Sequence, residues 1–346
     1  MLAPSFSITL GSVTSTTATP IGGPTALTVE RDMDIPTDGL RLQLSDRVDI
    51  NLGEAVVVNL GHDGEEETVF TGTVITLRPS LAGVELRAIG KLNQLLTLRT
   101  AAQFEDQSAG SIAQDLIDQA GLTAGTVDQG PVLPRYTVDQ RLSGFAHLRN
   151  LADRLGYELY GDRQGQVQFH ALGAVANLDS GLGGIGGAVT ALTGGGAETY
   201  QFWSAFAGCP GPATPPTWGA IAIGGESPMS RQGDTTAHWL TTNTTDHRGE
   251  AGTGASSLLL LDPVARTQDL ANRIAAGRWA IATRRLHEIS FTVLGRPQVE
   301  LGDTLTIRGN ADDLLNQGGY VRALRHRVSK TLGFVTDLRI AVEVAP

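Results

Sequence analysis

The sequence predicts a mainly β fold of the α+β class, and three observations lead there. Glycine is abundant, at 43 of 346 residues, and aromatics make up only 5%, a balance that suits short strands and turns better than helical bundles. Both ends of the chain consist of short runs rich in Val, Thr, Ile and Leu, and several of these alternate apolar and polar residues as a half-buried strand must. Between the ends lies a compact stretch with two amphipathic helical patterns.

Residues 5 to 90 hold the runs FSITLG, ALTVERD, LRLQLS, AVVVNLG, TVFTGTVITLR and GVELRAIG, which read as strands of a small barrel or sandwich. The texture changes near Leu95. Ser108 is the expected N-cap of a helix running to about Ala120, with Ile112, Leu116 and Ile117 on one face and Gly121 as the stop. Val132 to Asp139 reads as extended. A second helix follows, capped by Ser143, with Phe145, Leu148, Leu151, Ala152 and Leu155 in phase and Gly156 at its end. YELY, the turn GDRQG and QVQFH then form a hairpin.

Residues 173 to 196 are glycine-rich and read as a linker. The stretch 197 to 262, with five prolines and three of the four tryptophans, reads as an irregular insertion with a few strands. Asp262 is the expected cap of a helix over 263–283, with Pro263 at its first position, and the tail returns to β. The expected organisation is a first β domain over 1–95, an α/β domain over 96–172, a linker over 173–196 and a second β domain over 197–346 that carries the insertion and the helix.

The two β ends resemble each other. INLGEAVVVNLG (Ile50–Gly61) and VELGDTLTIRG (Val299–Gly309) share the order apolar, Asn/Glu, Leu, Gly, acid, alternating strand. Each is followed by a polar loop, an aromatic that opens a strand (Phe70, Tyr320) and a turn glycine (Gly83, Gly333), with thirteen residues from aromatic to glycine in both. This pattern implies one β module present twice. Three chains would then present six similar modules, a way of joining a three-fold partner to a six-fold one.

Composition and motifs exclude several classes. The formal charge of −10 and a pI of about 5.2 leave no basic footprint for nucleic acid. Nearly all the positive charge is arginine, since Lys91 and Lys330 are the only lysines. Cys209 is the only cysteine, so no intrachain disulfide forms. The N-terminus has no basic, apolar-cored leader, and no run approaches 18 apolar residues, so neither a secretion signal nor a membrane span is expected.

His62–Asp63 and Asp246–His247 lack metal-ligand spacing, GGESPMS around Ser227 is no nucleophile elbow, and the glycine runs are not followed by Lys-Ser/Thr. Asp303 reads as the start of a strand rather than as a catalytic acid, and His287 and His326 sit in strand patterns. The expectation is a protein with no catalytic residues, no cofactor and no metal. The acidic stretches after the matched strands, with Glu65, Glu66 and Glu67 in one and Asp312 and Asp313 in the other, are candidate assembly contacts.

FEDQSAGSIAQDLIDQAGL, the extended segment after it and SGFAHLRNLADRLGYELYGDRQGQVQFH resemble the hub proteins of contractile tails, including the phage late control gene D proteins and the front half of VgrG-type spike proteins. The shared pattern is a helix ending in Ala120-Gly121-Leu122, a helix carrying Leu151, Ala152 and Gly156, and a short hairpin. Gly295–Gly309 also resembles the family's C-terminal segment. The resemblance covers about residues 40–172 and 263–344 and fails across 173–262.

What the resemblance implies is a baseplate hub. Two tube-like β-barrel domains in one chain are joined by a small α/β domain. Three chains form a homotrimer of pseudo-sixfold symmetry that connects the hexameric ring of inner tube protein to a trimeric spike protein. Baseplate wedge or sheath-initiating proteins are further expected partners, contacted through 197–262 packed on the barrel exterior. The net acidic charge suggests a channel through which DNA or cargo slides without specific nucleic-acid binding. VgrG-type proteins continue into an OB-fold and a β-helix. This sequence ends at Pro346, so a separate spike is expected, with assembly in the bacterial cytoplasm and release in a virion or injection particle. The rival readings are the distal hub of a non-contractile tail and a secreted β-rich enzyme or glycan-binding protein with Trp203, Trp218 and Trp239 as a sugar platform.

Overall fold

Alternation along the N-terminal strands places Leu27 and Val29, Leu40 and Leu42, and Val56, Val58 and Leu60 on one side, so those strands curl around a common apolar core. A computed structural model of the chain describes residues 3–81, 83–172, 188–193, 196–208, 218–225, 248–284, 288–308, 316 and 318–342. The structure is mainly β, built on one large curled sheet, with few helices.

The first module contains β1 (Pro4–Leu10), β2 (Val13–Thr16), β3 (Pro24–Asp32), β4 (Gly39–Leu44), β5 (Ala55–His62), β6 (Glu65–Ser80) and β7 (Gly83–Gly90). Its antiparallel order is β2-β1-β5-β6-β7-β4-β3. β5 and β6 form a hairpin whose two-residue turn, Asp63-Gly64, has positive φ at both positions (53° and 91°), the geometry that matches strand twist. HDGEEE is therefore a tight turn entering a strand rather than a polar loop, and β6 opens at Glu65, five residues before Phe70.

The middle unit contains α1 (Asn93–Thr97), β8 (Ala102–Ser108), α2 (Ala109–Gln119), β9 (Ala124–Val127), β10 (Val132–Val138), α3 (Gly144–Leu155), β11 (Glu158–Gly161) and β12 (Val167–His170). The Ser108 hydroxyl accepts the Ser111 N–H, and Ser143 accepts that of Ala146, caps that contribute about 1 kcal/mol each. Gly156 closes α3 in the left-handed conformation.

The remainder contains β13 (Ala188–Thr193), β14 (Gly196–Gly208), β15 (Ala220–Gly225), β16 (Arg248–Gly252), β17 (Ser257–Asp262), α4 (Gln268–Arg284), β18 (Glu288–Leu294), β19 (Thr304–Arg308), β20 (Gly318–Ser329) and β21 (Gly333–Val342). Here β13-β14-β18-β21-β20-β19 returns to β13, so these six strands close into a ring. Part of the expected linker, residues 188–193, is thus a barrel strand. The rest of it up to 187 lies outside the described residues.

Two further expectations change. β15, β16 and β17 form a separate three-stranded sheet, and Ile221, Ile223, Ala271 and Ile274 join one core with Ile112, Leu116, Leu148 and Leu151. The described part of the expected insertion therefore packs on the helices of the α/β unit. Asp262 accepts the Val264 N–H at the end of β17, but the helix begins later, where Thr267 accepts the N–H of Leu270.

The modules match strand for strand. β1-β5-β6-β7-β4-β3 and β13-β19-β20-β21-β18-β14 have the same order of neighbours. The Gly53 N–H donates to the Val74 carbonyl and the Val74 N–H to the Glu54 carbonyl, each at 2.9 Å, and Gly302, Val321 and Asp303 repeat this at 2.8 Å. Gly53 and Gly302 adopt φ of 89° and 90°, and Gly83 and Gly333 both open the last strand with positive φ. The pairs Ala55–Thr73 and Thr304–Tyr320 make Thr73, not Phe70, the counterpart of Tyr320. The equal aromatic-to-glycine spacing is coincidental, because the second hairpin is longer between bulge and turn.

One difference matters. The second module closes through β13–β14, whereas the corresponding β1–β3 pairing is missing, and Phe6, Pro20, Pro24, Leu27, Leu60 and Val328 line a cleft of about 260 Å³ there. β3 instead pairs with β20.

α4 crosses the end of α3 at Gly277, where an added Cβ would lie 2.4 Å from the Arg154 carbonyl oxygen and 2.6 Å from the Gly156 nitrogen. Gly277→Ala is expected to cost about 1–3 kcal/mol in a denaturant titration, because both obstacles are backbone atoms. Unchanged stability would show that the crossing yields freely.

Candidate functional site

Chemistry-bearing side chains collect where the two modules and the α/β unit meet. β20 makes this junction by changing partners. Its first residues, Gly318–Tyr320, pair with β19; after a bulge at Arg322, Ala323–Ser329 pair antiparallel with Asp32–Ala26 of β3. A bulge inserts a residue that turns the strand. Val321 and Arg322 are consequently both buried, with Arg322 at 0% exposure.

Arg322 spends its donors on three parts of the molecule. Its guanidinium reaches Asp34, in the loop after β3, through Nε at 3.1 Å and through Nη2. Nη1 donates to Glu158 of β11 at 3.0 Å and to the Tyr320 hydroxyl at 3.3 Å. Glu158, also at 0% exposure, has Arg149 and Arg284 each 3.8 Å away. Burial alone would lower the Arg322 pKa, but the bonds to Asp34 and the charge of Glu158 outweigh it and hold the guanidinium above its ordinary value.

Arg31 does the same from β3. It continues the inward phase of Leu27 and Val29. Nε donates to Asp38 at 3.2 Å, Nη1 to Glu300 at 2.8 Å and Nη2 to the Gly161 carbonyl at 2.8 Å, which again reaches the first module, the second module and the α/β unit. Arg163, in the turn between β11 and β12, donates to Glu300 and to the Gln298 carbonyl, and its own carbonyl accepts from Thr71. Removing one member of such a buried pair strands the other and costs about 3–5 kcal/mol.

Several groups here titrate unusually. Burial pushes Asp38 up to about 6 against the opposing pull of Arg31. Asp303 rises to about 6, again through burial, opposed by the bond from the Glu300 N–H. His326 is lowered to about 3 by burial and by the charges of Arg31 and Arg163, so it is neutral, bonded to Thr336 and packed on Phe334.

The opposite face of the β3–β20 joint is hollow and carries several charged side chains. Two depressions of about 400 and 530 Å³ adjoin there, and Glu30 and Arg325 line both. Its charges are paired: Arg325 with Glu30 at 2.7 Å, Arg327 with Asp337 at 2.8 Å, Arg339 with Asp32 at 2.7 Å and Arg41 with Glu85 at 3.1 Å.

Of the residues expected at assembly contacts, Glu65, Glu66 and Glu67 lie in β6, and Asp312 and Asp313 lie outside the described residues. Glu65 and Glu67 are exposed, and Glu67 comes within 3.7 Å of Arg163, at the rim of the junction. Partial burial raises the Glu66 carboxyl pKa, opposed by Ser5. No sequence motif marks Arg31, Glu158 or Arg322. The available signal was an arginine in an apolar phase, in ALTVERD and in YVRAL.

Among the described residues no cluster of His, Cys, Asp and Glu could hold a metal ion. His62 instead bonds the Gly295 carbonyl and stacks on Phe334, tying the modules together. Trp218 packs against Trp279 in the helical core, while the side chains of Trp203 and Trp239 lie outside the described residues. No described helix is long and apolar enough to cross a membrane.

No protein-family model matches the sequence, and no curated protein does. Solved structures do match. A 43 kDa tail protein of prophage MuSo2 from Shewanella oneidensis superposes with a TM-score of 0.65 at 16% identity, covering 99% of this chain and 100% of that one. A tail protein from Neisseria meningitidis gives 0.66 at 13% identity, covering 98% and 96%. An E. coli protein described as a type VI secretion component similar to T4 bacteriophage tail proteins gives 0.52 at 9% identity, covering 93% and 74%. The chain therefore has a fold shared by phage tail proteins and a type VI secretion component.

Asp303 offers a pH test. Its folded pKa is raised above the unfolded value, so its contribution is fully present below about pH 4 and is lost as pH rises towards 6. Asp303→Asn keeps an acceptor for the Glu300 N–H and removes the charge. Its unfolding midpoint is expected to gain on the wild type progressively from pH 4 to about 6.5 and then to hold level. A gap that does not change with pH would contradict the burial assigned to Asp303.

Proposed function

We propose that this chain is a structural baseplate hub of a contractile phage tail or a phage-tail-like injection system. The observation that carries this is the pair of β modules with one strand order, joined through β3 and β20 in a single chain whose fold recurs in tail proteins. Three chains would present six such modules, enough to seat on a six-fold tube while keeping a three-fold axis for a spike.

In this reading the α/β unit braces the modules and performs no chemistry, and force comes from other components of the particle. The hollow face of the joint is directed to the channel. Arg41, Arg87, Arg325, Arg327 and Arg339 stand there beside Glu30, Asp32, Glu85 and Asp337, so the face is nearly balanced in charge and offers passing DNA or cargo little net attraction. This refines the expectation of a simply acidic channel. Glu65, Glu66 and Glu67, with Asp312 and Asp313, are proposed contacts with the next layer.

Electron cryomicroscopy of particles purified through a tag on this chain tests the proposal. The expected map has three copies between a six-fold tube and a three-fold tip, with Glu65–Glu67 against a neighbouring ring. A single copy, or a copy number unrelated to the tube, overturns it.

A further inference from the structure

β6 and β20 hold equivalent places in the two modules. Val74 and Val321 receive the same main-chain bonds from the turn before β5 and β19, and both strands bulge at the next residue, Ile75 or Arg322. Past the bulge their surroundings differ. β20 pairs with β3 through residues 323–329, whereas among the described residues β6 pairs there with β7 alone. Arg322 is wholly buried, and Ile75 is 49% exposed. Arg78 is exposed too, and Pro79 has no N–H to offer, so the free edge runs from Ile75 to Arg78.

The internal joint indicates what seats on such an edge. In the common strand order, the second-module counterpart of β3 is β14. β13 covers β14 only as far as Gln201, and from Phe202 to Gly208 the described partner is β18 alone. Among the described residues, each chain thus has an edge without a strand partner on its first module and, in β14 of its second, the counterpart of the strand that covers that edge within the joint.

We propose that a second copy of this chain lays Phe202–Gly208 of its β14 antiparallel along Ile75–Arg78, repeating between chains the joint that β3 and β20 make within one. The contact is head-to-tail, uses strand addition, and buries Ile75. It rests on the ring reading above and names the joint that closes the ring.

The test uses the full chain in three forms: wild type, Ile75→Asp, and Leu259→Asp as a control at an exposed leucine of the helical-core sheet. Native mass spectrometry over a concentration series reads self-association, and hydrogen exchange reads residues 75–78. Wild type and Leu259→Asp are expected to form trimers with slow exchange at 75–78. Ile75→Asp should associate about a hundredfold more weakly, because the joint would bury an unpaired carboxylate. Its circular dichroism should match the wild type, since Ile75 is exposed in the single chain. Trimers of Ile75→Asp at wild-type affinity, with 75–78 exchanging freely, overturn this joint and leave the ring intact. A wild type that is monomeric in solution and single in purified particles overturns the ring, and this joint with it.

Discussion

The arrangement of the molecule depends on the antiparallel pairing of β3 with β20, fixed by two arginines that have no access to water. Strand pairing alone sets spacing and direction. Arg31 and Arg322 add the third coordinate, since each reaches the first module, the second module and the α/β unit at once. A guanidinium has five donors in a fixed plane, so a buried one that satisfies several acceptors constrains all of their positions. The desolvation cost of each charge is offset only while every acceptor stays in place.

That requirement gives the α/β unit a structural part to play. Glu158, the Gly161 carbonyl and Arg163 are three of its contributions to the junction, and all come from the β11–β12 hairpin. The caps on α2 and α3 and the shared core with β15, β16 and α4 hold that hairpin rigid from behind. The unit acts as a wedge whose charged tip completes the joint. Closing the second barrel while leaving the first open belongs to the same design, because β3 serves the joint in place of a seam with β1.

Local features of the fold were legible in the sequence. Serine caps at 108 and 143, the stop at Gly156, the N-terminal strand runs and the turn glycines Gly53, Gly83, Gly302 and Gly333 follow from residue chemistry within a few positions. Features that depend on distant partners were not. The strand at 188–193 lies in a glycine-rich stretch and is defined by pairing with β19, more than a hundred residues away. Phe70 and Tyr320 matched in spacing but not in space, since hydrogen bonds rather than side-chain type set register. Arg31, Glu158 and Arg322 could not be recognised as a site because their significance lies in being close together, and 164 residues separate the last two.

If the joint belongs to the cooperative core rather than acting as a hinge, the two modules in one chain have one fixed relation. Native-state hydrogen exchange of the full chain under mild denaturant measures this most directly. The account predicts that amides of Ala26–Asp32 and Ala323–Ser329 exchange only with global unfolding, in step with Leu338–Ile340 inside the closed barrel. Exchange of the β3–β20 amides through a separate, lower-energy opening, while the barrel stays protected, would contradict it.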